Sequence, residues 1–193
     1  MNTTPAIYPS AGVLVNRMFV AMQNQFSLTV PEDFRHGHFL DGFAIKHRSE
    51  FKHYCNGIAD SAFLSVSTKL QPGQKILVTF FRQKHMEMVT SFEDRLAFLH
   101  QQDGSVFLGP YGLALIYRLR RDQIFLPGWY MSLDNRQSLP RDINGQDIMF
   151  PVLGMHLSGI HPDPGEVYDF DLWGENEAYD FGDFIVCFKL HKK

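Results

Sequence analysis

Between Gln102 and Asp134 the chain reads QDGSVFLGPYGLALIYRLRRDQIFLPGWYMSLD, and this stretch narrows the choice of fold more than any other. From Leu113, alternate positions are Leu113, Leu115, Tyr117 and Leu119, the period of two expected on one face of a strand. The intervening residues, Ala114, Ile116, Arg118 and Arg120, begin apolar and end charged. The alternation therefore predicts a strand that leaves the core and delivers Arg118 and Arg120 to one rim of a sheet. Gly109-Pro110 and Pro127-Gly128 are turn dipeptides on either side. Trp129, Met131 and Leu133 resume the alternation after the second turn. The expectation for this stretch is a meander of short antiparallel strands.

The flanking segments predict the rest of the framework. Ser10 stands as an N-cap ahead of Leu14, Val15, Met18, Phe19 and Met22, whose spacing predicts a helix over 11–24. Residues 1–9 are polar and punctuated by proline, as a loose arm would be. Phe26–Val30 and Phe43–His47 read as short strands. Phe51, Tyr54, Cys55 and Ile58 lie at helical spacing after Ser49. Ala62 to Leu70 alternates, Gln71-Pro72-Gly73-Gln74 suits a type II turn, and Ile76, Val78 and Phe80 alternate again, which predicts a β-hairpin. Ser91 and Asp94 are placed as a capping box before Phe92, Leu96 and Leu99, with Gly104 past the helix end. Pro151 within 148–157 predicts an edge or bulged strand. Tyr168–Leu172 and Phe184–Leu190 alternate as strands. Together these elements predict a single α+β domain in which β dominates. Its mainly antiparallel sheet would be curled into a barrel or sandwich, with two or three helices packed on it.

Composition limits the function classes. With 193 residues, 45% of them hydrophobic and 18 of them Phe, the core needs neither metal nor disulfide to hold it. The two cysteines, Cys55 and Cys187, follow no metal or CxxC spacing, which points to a reducing compartment. The apolar run GVLVNRMFVAM is too short for a membrane span and lacks the basic start of a signal peptide. A soluble, cytoplasmic chain with no membrane partner is the expectation. The formal net charge is −3, unevenly spread: residues 1–130 hold 13 Lys/Arg against 10 Asp/Glu, and residues 131–193 hold 5 against 11.

Three groups of side chains could carry chemistry. The first is cationic and aromatic: Arg118, Arg120 and Arg121 with Tyr111, Tyr117, Trp129 and Tyr130, the ingredients of a single-stranded nucleic-acid surface. The second is the acidic, aromatic stretch 163–183, where Trp173 and its neighbours would anchor a protein partner. The third is histidine: His36 and His38, with His156 and His161, could hold a divalent transition metal. No G-x-S-x-G, Walker-type loop or G-x-G-x-x-G occurs. The leading expectation is therefore a non-enzymatic binding module without a cofactor. It would engage a protein partner, with nucleic acid as the alternative, through an Arg-aromatic sheet rim and the acidic C-terminal loop. A small metal-dependent enzyme built on the histidines is the competing reading.

Overall fold

The computed structural model describes residues 18–84, 90–124, 126–157, 166–176 and 183–191. Eight strands form one mixed, mostly antiparallel sheet: β1 (Phe19–Thr29), β2 (Phe51–Tyr54), β3 (Lys75–Gln83), β4 (Ser105–Val106), β5 (Gly128–Met131), β6 (Met149–Leu157), β7 (Glu166–Gly174) and β8 (Phe184–Leu190). Their order is β1-β3-β8-β5-β6-β7-β2, with β4 also beside β8. The β5–β8 and β2–β7 pairs are parallel. Among the described residues three α-helices complete the fold: α1 (Phe39–His47), α2 (Phe92–His100) and α3 (Gly109–Arg120). The β-dominant α+β expectation holds. The barrel form does not, because β1 and β2 end the sheet without pairing with each other.

Consecutive residues of β3 show how the layers are divided. Phe80 packs against Phe26 and Tyr130, on the face where Phe188 of β8 meets Gly112 of α3. Phe81 points the other way, onto Phe98 of α2. The inner face carries α1 and α3, and the outer face carries α2. The inner layer is densely aromatic: Phe43, Phe51, Tyr54 and Tyr117 gather around Phe170 and Tyr168 of β7.

The central correction concerns 109–120, which is a helix and not a strand. Gly109 through Tyr117 are all buried, so the segment is apolar all round over most of its length. A helix buried on every side satisfies a period-two count as well as a buried strand does. Pro110 in the first turn suits a helix start, and Arg118 and Arg120 in the last turn complement its dipole. The expected meander is absent as well. β4 and β5 are not paired with each other; both line the same edge of β8, with α3 between them in sequence.

Three further segments exchange roles for identifiable reasons. Phe51 and Tyr54 are both buried because the register against β7 shifts between Phe51 and His53. That irregularity brings residues three apart to one face, so a strand imitates helical spacing. Residues 1–17 lie outside the described residues. Of the helix expected over 11–24, Met18 is helical, but β1 starts at Phe19: residues 19–21 pair with β3, and 22–24 fall where the register shifts before Gln25. Phe43–His47 belongs to α1. The predicted hairpin exists only in part. Its turn forms, with Gly73 at φ +76° and Gln74 N–H donating to Gln71 O at 3.2 Å, but β3 pairs with β1 and β8. Along 62–70 the buried residues are Phe63, Val66 and Leu70, whereas Leu64 is 57% exposed. Pro151 lies in β6, inside the sheet and not at its edge. It sits just past the last β5 pair, Met131–Val152, where its carbonyl accepts from Ser132 N–H. The capping box of α2 forms as expected, with reciprocal bonds between Ser91 and Asp94.

Candidate functional site: a cationic cleft between two helix ends

The loop 31–38, helix α1 and the last turn of α3 enclose a cleft of about 150 Å³. Phe39 and Phe43 supply its apolar lining, and Gly42 between them leaves the α1 wall open. Arg35, Lys46 and Arg118 bring three cations to it, with His38 and His47 beside them and Asp33 as the one carboxylate among the described residues. Each side chain is placed by its element. Phe39, Phe43, Lys46 and His47 follow the i, i+4, i+7, i+8 course of one helix face. Asp60 caps the start of α1 from outside, its Oδ2 accepting from Asp41 N–H at 3.0 Å, since His38 makes no side-chain cap bond. Asp60 also accepts from the buried Tyr111 hydroxyl of α3 at 2.7 Å, so one carboxylate ties the two helices together.

Arg118 donates twice to Asp33, at 2.9 and 3.1 Å, and its guanidinium lies 5.8 Å from the centre of the Phe39 ring. The hydrogen bond from Arg118 holds the Asp33 carboxyl below the usual carboxylate range. The pair is nevertheless open to water, Asp33 being 54% and Arg118 26% exposed. An ion pair of that exposure contributes about 0–1 kcal/mol, so an incoming anion can take Asp33's place on Arg118. Arg35 donates to the carbonyls of Glu32 and Phe34.

Beside the cleft, His47, Tyr117 and Arg121 converge on Glu50, with contacts of 2.8, 3.1 and 2.8 Å. The bond to His47 is the main reason the Glu50 carboxyl is lowered. Burial pushes the Tyr117 hydroxyl up to about 12. Helical geometry divides the three arginines that the sequence placed on one rim. Arg118 and Arg121, three apart, share the α1 side. Arg120 turns toward β1, where it meets Ser27 O at 3.4 Å and stands over the Phe26 ring at 5.3 Å. The rim is thus the end of a helix and not the edge of a sheet.

The aromatic residues expected beside the arginines are elsewhere. Tyr111 and Tyr130 are 1% exposed, and Tyr130 donates to Leu126 O, so neither offers a stacking face. Trp129 and Trp173 are half-buried and meet each other at 4.8 Å, on the outer face of the sheet. The histidines also separate. His36 stacks on Tyr111 at 4.5 Å, and both its ring nitrogens are buried without a hydrogen bond. His38, two residues on, lines the cleft, and Gly37 between them takes φ +84°. His156 lies 3.2 Å from Asp169, and His161 is outside the described residues. Among the described residues no three His, Cys, Asp or Glu side chains converge as metal ligands. Arg35, Lys46, Phe39, Phe43 and His47 were not foreseen as a group. The common helix face of Phe39, Phe43, Lys46 and His47 is the signal, hidden when 43–47 is read as extended; Arg35, in the loop before α1, shares no face with them.

Comparison with protein-family models, curated protein sequences and solved structures finds no match to this chain. Among the described residues no helix is long and apolar enough to cross a membrane.

Burial of His36 has a measurable consequence. Desolvation lowers its pKa from the ordinary 6.5, with Lys69 acting in the same direction and Asp60 opposing. The unfolded chain therefore takes up this proton first as pH falls, and by linkage stability declines below about pH 6.5. His36→Phe keeps a ring against Tyr111 and removes the titration. Urea denaturation at a series of pH values between about 7 and 5 is expected to show a shallower loss of stability in the variant than in the parent.

Proposed function

We propose that the chain is a binding module that holds an anionic group of a partner protein in the cleft between α1 and the end of α3. The observation that carries this reading is the grouping of Arg35, Lys46 and Arg118 in one concave site where, among the described residues, they face a single, exposed carboxylate. Its volume of about 150 Å³ suits a carboxylate or phosphate group and not a large ligand. The local excess of positive charge lies in a chain whose net charge is −3, and oppositely charged surfaces raise association rates and select partners. The separation of the Trp residues from the arginines favours a protein partner over single-stranded nucleic acid, which needs bases stacked beside the cations.

The double variant Lys46→Glu, Arg118→Glu is the test, with inorganic phosphate and an oligoglutamate peptide as probes in isothermal titration and NMR. The parent is expected to bind with an affinity that falls as salt rises. The variant is expected to lose about tenfold or more in affinity, with stability changed by about 1 kcal/mol or less because both positions are solvent-accessible. Equal affinity in parent and variant, or no salt dependence, would remove the cleft as the site.

A further inference from the structure

The outer face of the sheet holds a second group of side chains, opposite in character to the cleft. Trp129 of β5, Gly154 of β6 and Asp169 of β7 stand in one cross-strand row. A Cβ at Gly154 would lie 2.7 Å from Cζ3 of Trp129 and 2.9 Å from Nε2 of His156. The absence of a side chain there lets the indole lie down on the strand. Trp173 meets it at 4.8 Å with the rings tilted by 50°, so the two indoles make a corner and not a flat shelf. Both are half-buried, each leaving part of its surface to solvent.

Carboxylates flank the corner. Asp169 accepts from His53 N–H at 2.9 Å and lies 3.2 Å from His156. Asp171, 30% exposed, stands 3.7 Å from His53 Nε2. Both histidines have one ring edge near a carboxylate.

We propose that this corner is a docking site for a cationic side chain, best an arginine, presented by a basic segment of a partner protein. A guanidinium stacks on an indole face and donates in its own plane to a carboxylate, and the corner offers both partners side by side. Charge complementarity sets the sign of the occupant: residues 131–193, which supply every member of the group except Trp129 and His53, hold 11 acids against 5 Lys/Arg. A sugar would need a flat aromatic shelf, which rings tilted by 50° do not make.

The chain has two tryptophans in all, and both lie in this corner, so intrinsic indole fluorescence reads the site directly. Titration of the full chain with a short Arg-Gly repeat peptide is expected to give a saturable change, weaker with the Lys-Gly counterpart and suppressed by salt. Asp171→Asn is expected to reduce affinity severalfold, and Asp169→Asn with Asp171→Asn about tenfold or more. Thermal melting of each variant confirms that it is folded. The cleft variant Lys46→Glu, Arg118→Glu is expected to bind the peptide like the parent, which keeps this site distinct from the cleft. A change of equal size with a neutral Ala-Gly peptide, an unchanged affinity in the folded Asp variants, or a response to a neutral oligosaccharide in place of the basic peptide would overturn the proposal.

Discussion

Gly112→Ala is expected to destabilise the protein by about 3 kcal/mol, although alanine is the better helix former by about 1 kcal/mol. The reason is the contact between α3 and β8. A methyl group at residue 112 would stand well inside van der Waals contact of Cζ of Phe188 and 2.7 Å from its Cε2. Phe188 cannot swing clear easily. It is 2% exposed and held in the sheet between Val78 of β3 and Val106 of β4, and close-packed interiors resist even one added methylene. Either the helix must lift from the sheet or the ring must leave its rotamer. The proof lies in a second change. Phe188→Leu removes the atoms that clash, so the double variant is expected to be more stable than Gly112→Ala alone, a reversal that denaturant unfolding can measure. A neutral or stabilising Gly112→Ala would mean that α3 does not lie against β8.

That contact also shows why the sequence pattern of α3 imitates a strand. What identifies this helix is a match between a residue with no side chain and a ring 76 positions away, which no local pattern contains. Where the local rule and the tertiary demand agree, the sequence reading succeeds. The Ser91–Asp94 box starts α2, the Pro72-Gly73 turn forms, and β5, β7 and β8 lie where alternation placed them. Where burial extends to both sides of a segment, or a register shift mixes two periods, it fails, as at 109–117 and 51–54. The hairpin failed for a different reason. Its turn was legible from two residues, but the partner of β3 is chosen by hydrogen bonding to distant β1 and β8.

The candidate sites follow the same division. Arg118 and His38 were singled out and do line the cleft. Arg121 stands next to it, joined through Glu50 and Tyr117. Their grouping with Arg35 and Lys46 depends on packing α1 against α3, which is invisible to spacing along the chain. The sequence associates Trp129 with the arginines and Trp173 with the acids. The sheet instead places the two indoles together, because β6 alone separates β5 from β7 and Gly154 leaves room above it.

Asp60→Ala is expected to cost about 3–4 kcal/mol, which for a chain of this length lowers the melting temperature by roughly 10 °C. Asp60 is 2% exposed and serves two helices. Its loss strands the Tyr111 hydroxyl, which is buried in α3 and whose pKa is raised chiefly by that burial. Leaving such a donor unsatisfied costs about 1–3 kcal/mol. The same change uncaps Asp41 N–H at the start of α1, worth about 1 kcal/mol more. Tyr111→Phe separates the two contributions. It removes the donor together with its need for a partner and is expected to cost only about 1 kcal/mol in the parent, and less once Asp60 is already alanine. The cap has a further effect that stability alone does not report. The first turn of α1 carries Phe39 and adjoins His38, both walls of the cationic cleft, so fraying there widens the site. Asp60→Ala is therefore expected to weaken binding of oligoglutamate below the melting transition, whereas Gly112→Ala, whose strain falls at the other end of α3 from Arg118, is expected to leave that affinity close to the parent's while the chain is folded. Matched losses of affinity in the two variants would show that the cleft responds to global stability and not to the anchoring of α1.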